Sequence, residues 1–324
     1  MKAAPSILAC ILALVCPLAP VHSQSYPSKP IRLIVPFPPG GVDVSIRIMQ
    51  NAMIEDLGQP IVIENRAGAN GAIGAEMVAR SAPDGYTLMG TSIATITGAV
   101  ITKVPYDPIK DFTPITMIYT SMGVLAATPS FPANSLKELI DHAKRNPGKV
   151  SYASTGIGSE QHLSGENLKL LAGIDLIHIP YKGFGPVVQA MLAQETDVAF
   201  FTYQAVRPLL TSGKAKAIAV YFLRKRHPNL PNVADITETV PGFQTTRSWS
   251  GLFSPAGLPR PLLARLNTSA VKAINTPAVH SQLEANGYII VANTPEDFAG
   301  WIKTDFDTAV KVTRDLAAAG VKFE

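Results

Sequence analysis

The sequence predicts an α/β fold of two lobes, each a parallel sheet covered by helices on both faces. Three observations predict it. Short uninterrupted runs of Val, Ile and Leu alternate with amphipathic stretches, the pattern of strands buried on both sides. The pattern restarts midway, giving two units of similar element order. Two extended stretches, 112–130 and 248–259, lie where one unit gives way to the other, so the chain crosses twice. Two crossings imply a hinge and a cleft. Connections in such sheets are right-handed, and ligands gather beyond the carboxyl ends of the strands.

The first 23 residues read as an export leader. Lys2 supplies the positive start, "ILACILALVCPLA" is apolar but too short to span a bilayer, and "VHSQ" offers cleavage near Ser23. A lipoprotein signal at Cys10 or Cys16 is the alternative, against which stand the early place of Cys10 and the bulky Val15 before Cys16. The first unit then reads as strand 31–37, helix 44–58 closed by Gly58, strand 60–65, helix 71–85 ending in Pro-Asp-Gly, and strand 86–92. In the second, helix 135–149 opens with Ser135 and Glu138, the spacing of a capping box. Strand 150–155, helix 160–173, strand 175–181, helix 184–195 and strands 196–202 and 215–221 follow. After the return crossing, helix 260–275, a short apolar run and a last helix from Pro295 pack back on the first lobe. These boundaries assign 24–122 with 250–324 to one lobe and 123–249 to the other.

A chain of 324 residues has room for about two domains. Its low charged content excludes a disordered tail or a coiled coil. The net charge of +4 is scattered, and the densest run, "LRKRHP" at 223–228, reads as a solvated loop, so no nucleic-acid partner is expected. Cys10 and Cys16 both lie in the leader, which leaves the mature chain without thiols or disulfides. No spacing suits a metal site, and no cofactor is expected.

The loops at strand ends are rich in Gly, Ser and Thr. "PFPPGGVD" carries Phe37, Pro39, Gly40 and Asp43, and "GTSIAT" carries Thr91, Ser92 and Thr95. "STGIGSEQH" carries Ser154, Thr155, Gly156, Gly158, Ser159 and His162, and "YKGFG" carries Tyr181, Gly183 and Phe184. Bare backbone N–H groups and short hydroxyls beside helix starts bind a carboxylate or phosphate without a full opposite charge. The prolines make the first turn rigid where it leaves the strand, and Gly40 and Gly41 let the backbone approach a ligand. A plain tight turn is the bland alternative. Asp43 reads as a ligand or water contact, or equally as an N-cap. Phe37, Tyr181 and Phe184 read as cleft lining or as core. "GIGSEQH" is neither a Walker A loop nor a nucleophile elbow. Ser159 and His162 are three apart, but a hydrolase would need an acid to orient His162, and no spacing nominates one. His162 reads otherwise as a helix-surface or core histidine.

"YPSKPIRLIVPFPPGG", "IVIENRAGANGAIGAE", "PDGYTL", "PYDPIKDF", "HIPYKG" and "GLFSPAGLP", in that order, resemble the signatures of the Bug family, the periplasmic substrate-binding proteins of tripartite tricarboxylate transporters. The resemblance runs from about Tyr26 to the end. It implies a type II periplasmic-binding-protein fold, two Rossmann-like lobes joined by two crossing strands. It implies a small carboxylate held by backbone amides, hydroxyls and water, then delivered to membrane permease subunits by a monomeric receptor that is not an enzyme. By matching motifs, the ligand-facing segments are Phe37–Asp43, Thr91–Thr95, Ser154–His162, Tyr181–Phe184 and the strand end at Phe201 and Thr202. An exported hydrolase and a ligand sensor for a membrane kinase stay open as alternatives.

Two departures stand out. In the family loop two residues separate the Gly pair from its Asp, and here only Val42 does. Many relatives carry an Asp where this chain has Phe201. A carboxylate there would pair with a ligand amine, so the expected ligand lacks an amino group.

Overall fold

The computed structural model describes residues 26–222, 226 and 229–323. The leader and most of the 223–228 run therefore lie outside the described residues.

The strands sort into two sheets. The six-stranded sheet contains β1 (Ile31–Val35), β2 (Ile61–Asn65), β3 (Thr87–Ser92), β4 (Phe112–Ser121), β10 (Ser248–Pro255) and β11 (Ile289–Ile290), in the order β11-β4-β10-β3-β1-β2. The five-stranded sheet contains β5 (Gly123–Ala127), β6 (Val150–Ser154), β7 (Leu176–Pro180), β8 (Val198–Thr202) and β9 (Lys216–Tyr221), in the order β7-β6-β8-β5-β9.

Helices cover both faces of each sheet, and strand alternation explains how. In β1, Ile31, Leu33 and Val35 join a core with Ile46, Met49 and Met53 of α1 (Val42–Leu57) and Leu266 of α9 (Arg260–Ile274). Ile34, between them, points to the opposite core with Val78 of α2 (Ala72–Ala79) and Phe298 of α11 (Pro295–Ala318). The second sheet repeats the scheme. Leu125 and Phe200 pack on Leu139 of α4 (Leu136–Arg145) and Leu168 of α5 (Glu160–Ala172). Val124 and Phe201 pack on Val187 of α6 (Phe184–Leu192) and Val206 of α7 (Tyr203–Thr211). Each fully buried aliphatic side chain contributes about 1.5–3 kcal/mol, which is why both faces of these strands are apolar.

The expectation of parallel sheets needs correction. β1 runs parallel to β2 and β3, and β6 to β7 and β8. However, β10 is antiparallel to β3 and β4, and β5 is antiparallel to β8 and β9. The crossings cause this. β4 passes into β5 with only Met122 between them. A strand arriving from the other sheet enters at the carboxyl edge and must run backwards. The return into β10 does the same in the other direction.

Three helices escape the sequence pattern: α3 (Ala94–Ile101), α7, and α10 (Pro277–Ala285). So do the single turn at Ala69–Gly71 and the short α8 (Ile236–Thr239). The cap at Ser135 is present: its side chain accepts from Glu138 N, while Glu138 bonds Asn134 N.

Candidate functional site

The loop after β1 takes positive φ at Gly40 (112°) and Gly41 (52°), a region that favours glycine. Space is open beside both positions. The helix starts at Val42, so Gly41 is the N-cap and Asp43 lies in the first turn, which corrects the N-cap reading of Asp43. Asp43 is 3% exposed. Its Oδ2 accepts from Arg47 Nε at 2.8 Å and its Oδ1 from Asn65 Nδ2 at 3.0 Å. Asn65 also donates to the Phe37 carbonyl at 3.0 Å. Burial alone would raise the Asp43 pKa, but the bonds from Arg47 and Asn65 outweigh it and hold the carboxyl below its ordinary range. Asp43 thus fastens the Phe37–Gly41 loop to β2.

Thr91 is fully buried and its hydroxyl meets that of Thr95 at 2.5 Å. Tyr106 donates to the Thr95 carbonyl at 3.1 Å. A Cβ on Gly71 would sit 3.2 Å from Phe37 Cζ and 3.4 Å from Thr95 Oγ1. The loops after β1, β2 and β3 therefore converge on one spot. The residue at its centre, Gly71, was not among the expected site residues, although "GANG" had the same composition as the loops that were. Ser92 is half-buried, and its hydroxyl accepts from Ala94 N at 3.4 Å.

In the loop that follows β6 of the five-stranded sheet, Gly156 and Gly158 take φ of 130° and 78°. A Cβ on Gly156 would be 3.4 Å from the Tyr181 carbonyl, and one on Gly158 would be 3.2 Å from Ile101 Cδ1 at the end of α3. The Ser154–His162 loop of one sheet thus meets a helix of the other. Thr155 donates to Gln161 Oε1 at 2.8 Å. Gly183 caps α6 with φ 106° and open space beside it. Pro39 is exposed and Tyr181 half-buried. Phe184 stacks on Phe201 at 6.2 Å. Phe201 itself is fully buried in the core, with Tyr221 donating to its carbonyl. Thr202 is the N-cap of α7 and makes no side-chain capping bond.

Ser159 does not address the His162 ring. Its hydroxyl accepts from the His162 backbone N at 3.2 Å, as the cap of α5. The ring's Nδ1 accepts instead from Gly158 N at 3.0 Å. His162 stacks at 4.2 Å on His178, whose Nε2 meets Ser154 Oγ at 2.7 Å. Burial first, then the neighbouring His162, pushes His178 down to about 3, and burial lowers His162 as well. Both rings are neutral at ordinary pH. His178, invisible to sequence reasoning, comes from β7 through register alone.

The helix starts fall into two groups. α1, α2, α3, α6, α7, α9 and α10 have no side-chain cap hydrogen bond, whereas α4, α5, α8 and α11 are capped by Ser135, Ser159, Asp235 and Thr294. Five of the seven uncapped starts, those of α1, α2, α3, α6 and α7, follow the parallel strands β1, β2, β3, β7 and β8, at the facing edges of the two sheets. Some of their first N–H groups are taken, Asp43 N by the Gly40 carbonyl, Ala72 N by the Ala69 carbonyl, Ala94 N by Ser92 Oγ and Tyr203 N by the Met122 carbonyl; the N–H groups left over form the arrangement that receives an anion. Among the described residues no group of three His, Cys, Asp or Glu side chains gathers as metal ligands would.

Comparison with known proteins agrees. Residues 45–316 match the model of the tripartite tricarboxylate transporter family receptor. Over 306 residues the chain is 34% identical to protein BugT of Bordetella pertussis, covering 93% of each. A protein of R. palustris solved with adipate superposes with a TM-score of 0.82 at 30% identity, over 90% of this chain and 98% of that one. MatC of Rhodopseudomonas palustris, solved with bound malate, gives 0.79 at 32% identity, over 89% and 99%. The architecture is the type II periplasmic-binding-protein fold, two Rossmann-like halves joined by two crossing strands. The chain belongs to the receptor family of the tripartite tricarboxylate transporters.

Proposed function

We propose that this chain is an exported, periplasmic receptor that binds a small organic carboxylate between its two sheets and presents it to membrane permease subunits. The observation that carries this is the set of helix starts without a side-chain cap at Gly41, Gly71, Ile93, Gly183 and Thr202 around the converging loops. The relatives solved with adipate and malate support the ligand class. The leader is removed near Ser23. Residues 24–122 with 250–324 and residues 123–249 act as two lobes that close on the ligand. Phe37–Asp43, Thr91–Thr95, Ser154–His162, Tyr181–Phe184 and Thr202 face it, with Phe201 behind them.

The ligand lacks an amino group. Its ammonium would need a carboxylate, and those beside the loops are engaged. Asp43 is paired with Arg47, and burial pushes Glu160 up to about 8, so it is neutral at pH 7. Phe201 stands where an acid would otherwise pair with the amine. Nothing activates Ser159, and no turnover is expected.

Calorimetry of the mature protein with adipate, malate, benzoate, aspartate and glutamate tests this. Binding of the simple acids with the amino acids silent is expected. Tight aspartate or glutamate binding alone would overturn the amine rule, and silence from every acid would overturn the receptor. Gly158→Asp should abolish acid binding, because its carboxylate would repel the ligand. The positive φ and Ile101 make that variant less stable by about 1 kcal/mol without unfolding it.

A further inference from the structure

Glu160 is a buried acid that the cleft's anion chemistry does not call for. It occupies the first turn of α5, is 4% exposed, and is held on three sides. Oε1 accepts from Ser164 Oγ at 2.7 Å and from Thr245 Oγ1 at 3.2 Å, and Oε2 accepts from Gln161 Nε2 at 2.8 Å. Gln161, 5% exposed, passes the contact on: its Oε1 accepts from Thr155 Oγ1 at 2.8 Å. Thr155 is half-buried on the Ser154–His162 loop. A continuous chain of hydrogen bonds thus joins a buried acid to a hydroxyl at the seat.

That chain has two consistent arrangements. With Glu160 ionised, every neighbour donates to it. Gln161 spends its NH2 on Glu160, so its oxygen takes the Thr155 hydrogen, and Thr155 offers only lone pairs outward. With Glu160 neutral, its own O–H must find an acceptor. Turning the Gln161 amide by half a turn leaves its shape unchanged and supplies one: the Gln161 oxygen accepts from Glu160, and the NH2 donates to Thr155 Oγ1. The Thr155 hydrogen is then free to point at an anion.

We propose that Glu160 is a positioning residue for the anion seat: the proton it carries turns the Gln161 amide and decides whether Thr155 presents hydrogen or lone pairs to a bound carboxylate. This rests on the receptor reading. The surroundings isolate Glu160 for the task. Tyr221 of β9 is the titratable side chain that faces it, and burial holds that phenol well above its ordinary range. Charged or titratable groups on the elements packed around α5 are otherwise engaged. Glu166 bonds Lys169 and Tyr152, His178 of β7 bonds Ser154, and Asp305 of α11 bonds Arg247 and Trp249. His162 and His178 stay neutral through the window in which Glu160 titrates, and Asp43 stays ionised.

The test is calorimetry with adipate and malate from about pH 6.5 to about pH 9.5, where both acids remain ionised. Wild-type affinity should fall about tenfold across that range, the worth of one hydrogen bond to a charged group. At pH 8 binding should take up a fraction of a proton, read by comparing buffers of different ionisation enthalpy. Glu160→Gln mimics the neutral acid and should lose both the pH dependence and the proton uptake. Thr155→Val should bind about tenfold more weakly at pH 6.5 and no longer respond to pH. A flat wild-type profile, or an equal fall in Glu160→Gln, would overturn the proposal. Silence from both acids at every pH would instead defeat the receptor reading. The Gln161 side-chain amide resonances would then decide the relay alone: a shift with a midpoint near 8 that Glu160→Gln abolishes supports it, and its absence overturns it.

Discussion

Glu160 and His178 pull stability in opposite directions with pH, and the sum has a definite shape. His178 has its pKa depressed from 6.5 to about 3, so its contribution is present above 6.5 and is lost as pH falls towards 3. Glu160 has its pKa raised from 4.5 to about 8, so its contribution is full below 4.5 and is lost as pH rises to 8. Between 4.5 and 6.5 the two slopes cancel, leaving a plateau. Between 6.5 and 8 Glu160 acts alone, and the wild type should lose about 2 kcal/mol there, read by urea unfolding at stepped pH. Glu160→Gln should keep that stability up to pH 8. An identical decline in the variant would assign the effect elsewhere. Neither role was legible beforehand. "SEQH" showed Ser159 and His162 as a pair by spacing, yet the cap geometry turns the ring away from the hydroxyl, and its true neighbour, His178, is sixteen residues on in another strand.

At the scale of elements, the helix starts without a side-chain cap make a trade-off measurable. Thr202 already has cap geometry, with φ −76° and ψ 150°, but its side chain makes no capping bond. Thr202→Asp should therefore cap α7, stabilise the protein by about 1 kcal/mol, and weaken adipate binding at least about tenfold, since its carboxylate would take the donors first. Ser135→Ala, on the capped and distant α4, should cost about 1 kcal/mol and leave affinity untouched. Thermal melts with parallel calorimetry check both, and unchanged binding in Thr202→Asp would remove α7 from the seat. Most strands were legible because burial on both faces writes an unbroken apolar run. Direction was not: β5 and β10 look like the others, and only the crossings make them antiparallel. α3 does not stand out because "ATITGAVI" is rich in β-branched residues, α7 because Pro208 sits inside it, and α10 because only Asn275 and Thr276 separate it from α9.

Across the whole molecule, the two sheets are joined at Met122 and along the stretch before Ser248, and they also touch elsewhere. Gln204 of α7 bonds both Ser121 and the Gly287 carbonyl, and Arg207 donates to the Ala285 carbonyl at 2.6 Å. Leu163 of α5 packs with Val312 and Leu316 of α11. Saturating adipate should reduce the radius of gyration in small-angle scattering, as the lobes close on the acid. An unchanged radius with calorimetrically proven binding would mean that the lobes are already closed. The Met122 joint has a mechanical consequence. A rotation about the two crossings sweeps the rims farthest from them through the widest arc. In the proposed receptor, a small movement at the loops beside the crossings becomes a large one at the outer rims, and that is where a membrane partner would read whether the cleft is filled.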